Sequence, residues 1–284
     1  MNSQIVGACS LAIPEAEIAA ILDFAGDNQQ YSEFHYGDWK TFVIWSQSGS
    51  DADGVVADAG LEAKETPRSK ILPSLNTWIR ETFDVSRLKL ARIHSLGNGV
   101  LIPHKDFVEF EENARPWVRV HVPLVTNDQC LHSENDTVFR MRMGEVWFLD
   151  ATNLHSAINL SNQRRLNLCL DFDLGTLPLR AIFNASSENS PPALVPDIVQ
   201  RLPLELDFAA QLEHRGRSLT EHNFVDMAGW LAGIHFSRSV HIRTFFDWLI
   251  AVAAASRNEQ MLDKAHRYTR FLQDQRSMGE RFVL

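Results

Sequence analysis

LKLARIHSL (88–96), VLIPHKDF (100–107), WVRVHVPLV (117–125), TVFRMRM (137–143), EVWFLD (145–150), HSAINL (155–160) and RLNLCLDF (165–172) follow one another along the chain, separated by polar or glycine-containing breaks. Each run is short and rich in β-branched, leucine or aromatic residues. Such a train of short strands predicts a mainly β core, an all-β barrel or a double-sheet jelly roll.

On the N-terminal side, PEAEIAAILDFAG (14–26) reads as a helix, with Pro14 in its first turn and Gly26 at its stop. DWKTFVIWSQ (38–47) reads as a strand. Residues 48–66 read as a polar surface loop, and residues 70–84 as a second helix carrying Leu75, Trp78 and Ile79. On the C-terminal side, the Ser/Pro-rich stretch 184–203 reads as a linker. After it the spacing of apolar residues turns helical in FVDMAGWLAGIHF, IRTFFDWLIAVAAAS and EQMLDKAHRYTRFLQDQ. The expected plan is a β domain with N-terminal helical additions over residues 1–183, a linker at 184–203, and a C-terminal helical bundle over 204–284.

The 284 residues suffice for a sizeable core, and 45% hydrophobic with 22% charged residues is a globular balance. The net charge of −9 argues against a nucleic-acid partner, which would need a basic face. Cys9, Cys130 and Cys169 are widely spaced and form no CxxC, which fits a reduced cytoplasm and gives neither a disulfide framework nor a thiolate metal site. The first residues show no basic leader, and no apolar run reaches the ~20 residues of a membrane span. A cytoplasmic protein without membrane or nucleic-acid partners is expected, as a monomer or homodimer.

His104 and Asp106 form a His-x-Asp pair, and residues two apart on a strand point to one side. His155, after the next strand-like runs, is the best third ligand. Two imidazoles and one carboxylate on one face of an octahedral ion leave positions open for a co-substrate and O2, which suits Fe(II). Zinc hydrolases also use His and Asp, so these ligands alone do not fix the metal. 2-Oxoglutarate would chelate such an iron through its 2-oxo acid end and would need a cation for its distal carboxylate. Arg165, ten residues after His155 and across a turn, is placed for that, and its planar fork can bind a carboxylate bidentately. Arg164 would point the other way.

LKLARIHSLGNGVLIPHKDFVEF, VRVHVPL and TVFRMRMGEVWFLDATNLHSAINLSNQRRLNLCLDF, with YSEFHYGDWK, VHIRTFFDWL and the C-terminal GERF, resemble the bacterial free L-proline hydroxylases of the cis-3 and cis-4 type. These are related to the aspartyl/asparaginyl β-hydroxylases. The resemblance implies a double-stranded β-helix, cupin-like, with helical additions. It implies Fe(II), O2 and 2-oxoglutarate, with ascorbate helpful in vitro, and decarboxylation of the co-substrate to succinate and CO2. It further implies Arg92 and Arg119 as suppliers of a cation to the substrate carboxylate. His121 could touch 2-oxoglutarate, and Glu109 could bind the substrate ammonium or merely cap a surface.

The remaining readings are structural. Trp147 and Phe148 are expected in the core. Trp39 and Trp45 are expected to pack the N-terminal strand on the barrel or to form a cavity wall. His94, His132, His214, His222, His235, His241 and His266 are read as surface or satisfied core residues. The expected substrate is a free cyclic L-amino acid, L-proline first and L-pipecolic acid or another small amino acid second. A non-catalytic metal-binding cupin-like sensor and a protein-modifying hydroxylase are the alternatives.

Overall fold

The computed structural model describes residues 1–24, 31–108, 117–184, 194–274 and 276–284. Its β core is built from β1 (Gln4–Ala8), β2 (His35–Ser46), β3 (Lys64–Glu65), β4 (Leu88–Leu101), β5 (Val118–Val125) and β6 (Cys130–Glu134). It continues through β7 (Thr137–Arg140), β8 (Glu145–Leu149), β9 (His155–Asn159), β10 (Arg165–Phe172) and β11 (Asp197–Ile198). The pairings between these strands are antiparallel.

Two sheets share β4. The larger runs β1-β8-β5-β10-β4-β2-β3, and the smaller runs β4-β9-β6-β7-β11. β4 pairs with β10 up to Leu96 and with β9 at Gly99 and Val100. The change of partner falls on a glycine pair: Gly37 lies opposite Gly99, and a Cβ on Gly99 would come within 2.5 Å of the Tyr36 carbonyl oxygen. Only glycine allows the backbones to approach this closely. The sheets meet face to face, with the His121 and His132 rings 6.0 Å apart and Phe139 stacked on Trp147 at 4.7 Å. This is the jelly-roll, cupin-like core expected from the train of strands.

Helices cover both outer faces. α1 (Glu15–Asp23) and α2 (Pro73–Thr82) pack on the larger sheet through Ile21, Leu75 and Ile79 against Ile44, Ile93, Leu168 and Leu170. α3 (Phe208–Gly216), α4 (Phe224–Ser237), α5 (Thr244–Ala255) and α6 (Glu259–Gln273) share a second core with Val100, Leu131, Val138 and Ile158 of the smaller sheet. Trp147 is fully buried. The indole of Trp45 donates to Asn76 on α2 at 3.0 Å.

Four expectations change. The strand expected at 38–47 begins earlier, at His35. Residues 48–66 are not wholly loop, because Lys64–Glu65 pairs with β2. The strand expected to run through residue 107 stops at Leu101, because Pro103 has no N–H to give a ladder. His104 keeps only an isolated bridge to His155, Asp106 lies in a bend, and Phe107 takes a left-handed φ of 61°. Within the expected linker, residues 185–193 lie outside the described residues, and Asp197–Ile198 adds an edge strand to β7. Among the described residues, no helix is long and apolar enough to cross a membrane.

Candidate metal and co-substrate site

A cavity of about 340 Å³ opens between the two sheets. His104, Asp106 and His155 meet on one wall, with their ligating atoms all within 4.8 Å of one another. Both imidazoles are oriented by the backbone. Nδ1 of His104 sits 2.7 Å from the Ile102 carbonyl, and Nδ1 of His155 sits 3.0 Å from the Asn153 carbonyl. The two Nε2 atoms therefore face Asp106, at 3.4 and 3.5 Å from its carboxylate. Neighbouring ligands at about 2.1 Å from one octahedral ion are about 3 Å apart, so only small movements separate this arrangement from a bound one.

The triad does not depend on a shared strand face. A reciprocal pair of backbone hydrogen bonds joins His104 to His155, at 3.1 and 3.0 Å, and the Asp106 N–H donates to the Ala151 carbonyl at 2.8 Å. Burial alone would raise the Asp106 carboxyl. The Arg119 guanidinium and the two imidazoles reverse this and hold it well below the usual carboxylate range. Burial, then His155, lowers the His104 imidazole. A His104 imidazole pushed toward its neutral form and an ionised Asp106 carboxylate are the states that binding a divalent cation requires of them. This donor set fits iron(II), with hard oxygen and borderline nitrogen donors and no thiolate.

Arg165, the first residue of β10, reaches the same cavity and is 5% exposed. No hydrogen bond or ion pair to its guanidinium is found among the described residues. Burial pulls its pKa down to about 10, so it stays charged at neutral pH. A buried cation without a counter-ion is costly unless a ligand supplies the anion. Arg164 turns outward to Asp38 and to the Ser95 hydroxyl.

Arg92 and Arg119 also line the cavity, but both are already engaged. Asp171, on β10 and fully buried, accepts from Arg92 at 3.0 Å and from Arg119 Nε and a second Arg119 nitrogen at 2.7 and 3.0 Å. The remaining terminal nitrogen of Arg119 donates to Asp106. Arg92 keeps a buried Nε without a partner.

His121 lies in the cavity wall, its Nδ1 against the Asn167 amide at 2.5 Å. Glu109 lies outside the described residues.

Sequence reasoning missed three residues of this site. His94 and His132 were expected on the surface or satisfied in the core. They line the cavity instead, and their Nε2 atoms, like that of His121, are buried without a partner. Burial first, then the neighbouring arginines and imidazoles, keeps all three well below the usual histidine range. Asp171 was not singled out. Its signal was weak, a lone acid in an otherwise apolar strand, RLNLCLDF. His214, His222 and His266 are exposed, as expected.

A cupin-like core with two histidines and a carboxylate at one wall, and at another a buried arginine without a partner among the described residues, fits a metal-dependent oxygenase with an anionic co-substrate. Residues 15–174 match the aspartyl/asparaginyl β-hydroxylase family, and residues 180–280 match the C-terminal region of L-proline 3-hydroxylase. The chain is 35% identical to L-proline cis-3-hydroxylase 1 of a Streptomyces species, with 90% of this chain and 89% of the relative covered. It is 33% identical to L-proline cis-3-hydroxylase 2 of a Streptomyces species (100% and 99%) and 31% identical to L-proline cis-4-hydroxylase of Rhizobium meliloti (93% and 93%). The chain belongs to the aspartyl/asparaginyl β-hydroxylase family and is a 2-oxoglutarate-dependent dioxygenase.

Proposed function

We propose that this enzyme hydroxylates a ring carbon of free L-proline. The observation that carries the reading is the similarity to three L-proline hydroxylases over nine-tenths or more of the chain. One atom of O2 enters the substrate C–H bond as hydroxyl. The other enters succinate as 2-oxoglutarate loses CO2. Iron(II), held by His104, Asp106 and His155, supplies the O2 chemistry that couples the two oxidations.

The protein's own part is positioning. Arg165 takes the distal carboxylate of 2-oxoglutarate, and its lack of a hydrogen-bond or ion-pair partner among the described residues supports the role. For the substrate carboxylate, Arg92 is better suited than Arg119. Arg92 retains an unpaired Nε at the cavity wall, whereas all three nitrogens of Arg119 are bonded to Asp171 and Asp106. The small cavity suits two small acids rather than a polypeptide.

The test is a panel of L-proline, L-pipecolate, L-leucine and a proline-containing peptide, each with Fe(II), 2-oxoglutarate and ascorbate. L-Proline should gain one oxygen atom in step with succinate formation. If only the peptide, or only another amino acid, is hydroxylated, the substrate assignment fails. Arg92→Ala should raise the half-saturating L-proline concentration roughly tenfold or more, as loss of a charge-assisted bond costs on the order of 1.5–3 kcal/mol. It should also release succinate without hydroxyproline. Wild-type coupling in that variant would move the carboxylate to another residue.

A further inference from the structure

His104 and Asp106 are each tied to the β core through their own backbone, but Lys105 between them is not. The Lys105 N–H donates to the Leu272 carbonyl at 3.0 Å, and Leu272 lies in the last turn of α6. The Lys105 carbonyl accepts from Arg276 at 3.1 Å. The other terminal nitrogen of Arg276 donates to the Phe271 carbonyl at 2.9 Å. One guanidinium thus bridges the end of α6 to the peptide between two metal ligands, 171 residues away in sequence.

The same guanidinium lies over the rings of Phe34 and Phe271, at 5.0 and 4.9 Å. Phe34 in turn packs on the His104 ring, at 5.0 Å between centroids, and its carbonyl receives the Ile102 N–H at 2.8 Å. Arg276 therefore touches the metal loop by two routes, through the Lys105 carbonyl and through the aromatic ring packed on His104. It is 6% exposed and lines the cavity. An arginine suits this place because its planar fork can serve two carbonyls at once while its face stacks on rings.

We propose that Arg276 is a positioning residue of the metal site, holding the Lys105 backbone so that His104 and Asp106 keep their ligating separation. The C-terminal helices are thereby part of the metal centre and not an appendage to it. The proposal rests on the reading of His104, Asp106 and His155 as metal ligands.

Co(II) alone is titrated into metal-free, full-length protein, recording affinity and the visible d–d absorption bands. The proteins compared are wild type, Arg276→Ala, Arg276→Lys, Arg281→Ala and His104→Ala, with thermal melts for each. Arg276→Ala should bind Co(II) about 10–100-fold more weakly, the usual cost of losing an outer partner of a ligand, with altered bands. Arg276→Lys should recover part of the affinity, because an ammonium can reach one carbonyl but cannot bridge two. Arg281→Ala, which loses the ion pair of the same tail to Glu33 and a contact over the Tyr31 ring but no bond to the Lys105 peptide, should bind as wild type. If Arg276→Ala does not fold, Arg276→Lys decides, through weakened affinity and shifted bands. Wild-type affinity and bands in the folded Arg276 variants overturn the proposal, as does equal weakening in Arg281→Ala. Unchanged binding in His104→Ala overturns instead the ligand assignment on which it rests.

Discussion

On one side of the cavity a single carboxylate, Asp171, holds two guanidiniums, while on the other the guanidinium of Arg165 has no carboxylate partner among the described residues. Both sides are buried and both carry arginines from the same family of strands. The paired side has its charge answered largely within the protein, with the Arg92 Nε left over, and behaves mainly as framework, setting Arg119 against Asp106. The other side carries a charge that no described residue answers, which is why Arg165 is proposed to receive an incoming anion. A buried arginine is therefore read by what its partners leave over and not by its presence.

Asp171→Ala should produce the largest effect. It leaves two buried guanidiniums without their counter-charge, which costs about 3–5 kcal/mol of folding stability. Chemical denaturation of the metal-free protein measures it, and a loss below about 1 kcal/mol would mean that the paired side is not framework.

Arg165→Met should do the opposite. Removing an unpaired buried charge should stabilise the metal-free protein by about 1–4 kcal/mol, while saturation by 2-oxoglutarate is lost. A destabilised Arg165→Met would show that Arg165 has a counter-charge within the protein.

Acid should act on the two sides differently. His94, His121 and His132 are held neutral, first by burial and then by nearby cationic groups, Arg92 ahead of the others for His94, Arg119 for His121 and Arg165 for His132. Their folded pKa values lie below the ordinary 6.5, so the unfolded chain takes up protons that the folded chain refuses. Their contribution is complete above about pH 6.5 and declines as pH falls, by up to about 1.4 kcal/mol per pH unit for each histidine. Asp106 is held well below its usual range and stays ionised throughout, so it adds no slope there. Denaturation midpoints at pH 7.5 and 5.5 should show the decline, and His132→Gln should flatten it. A midpoint that holds steady would place charge or water beside these rings.

The smallest effect is expected from Arg165→Lys, which keeps charge but loses the planar fork. Its half-saturating 2-oxoglutarate concentration should rise about tenfold, near 1.4 kcal/mol, with stability close to wild type. An unchanged co-substrate dependence would take the anchoring role away from Arg165.

The parts of this site that a linear reading could find are those whose evidence is local. His104, Asp106, His155 and Arg165 stand at telling spacings within strand-like runs, and the structure brings them to one cavity. The reason given for the first pair was nevertheless incomplete, because Pro103 ends the ladder and backbone bonds to β9 and Ala151 take over. Asp171, His94 and His132 were not legible because their meaning depends on which strands become neighbours. His94 lies in the part of β4 paired with β10 and β2, and His132 on β6 of the smaller sheet, and only the curl of the core turns both toward His121. Arg276 was hidden for the same reason at a larger scale. Its partner lies 171 residues earlier, and nothing in GERF or its surroundings announces a bond to a peptide carbonyl.

That long span bears on how the protein is made. Lys105 leaves the ribosome well before Leu272 and Arg276, and at roughly 5–20 residues per second the interval is on the order of 10–30 s. During that time the strands carrying His155 and Arg165, and β4 just before His104, can collapse into a β core, but the peptide between His104 and Asp106 still lacks its last restraints. A nascent chain would thus pass through a stage with its ligands in place and its grip on metal loose.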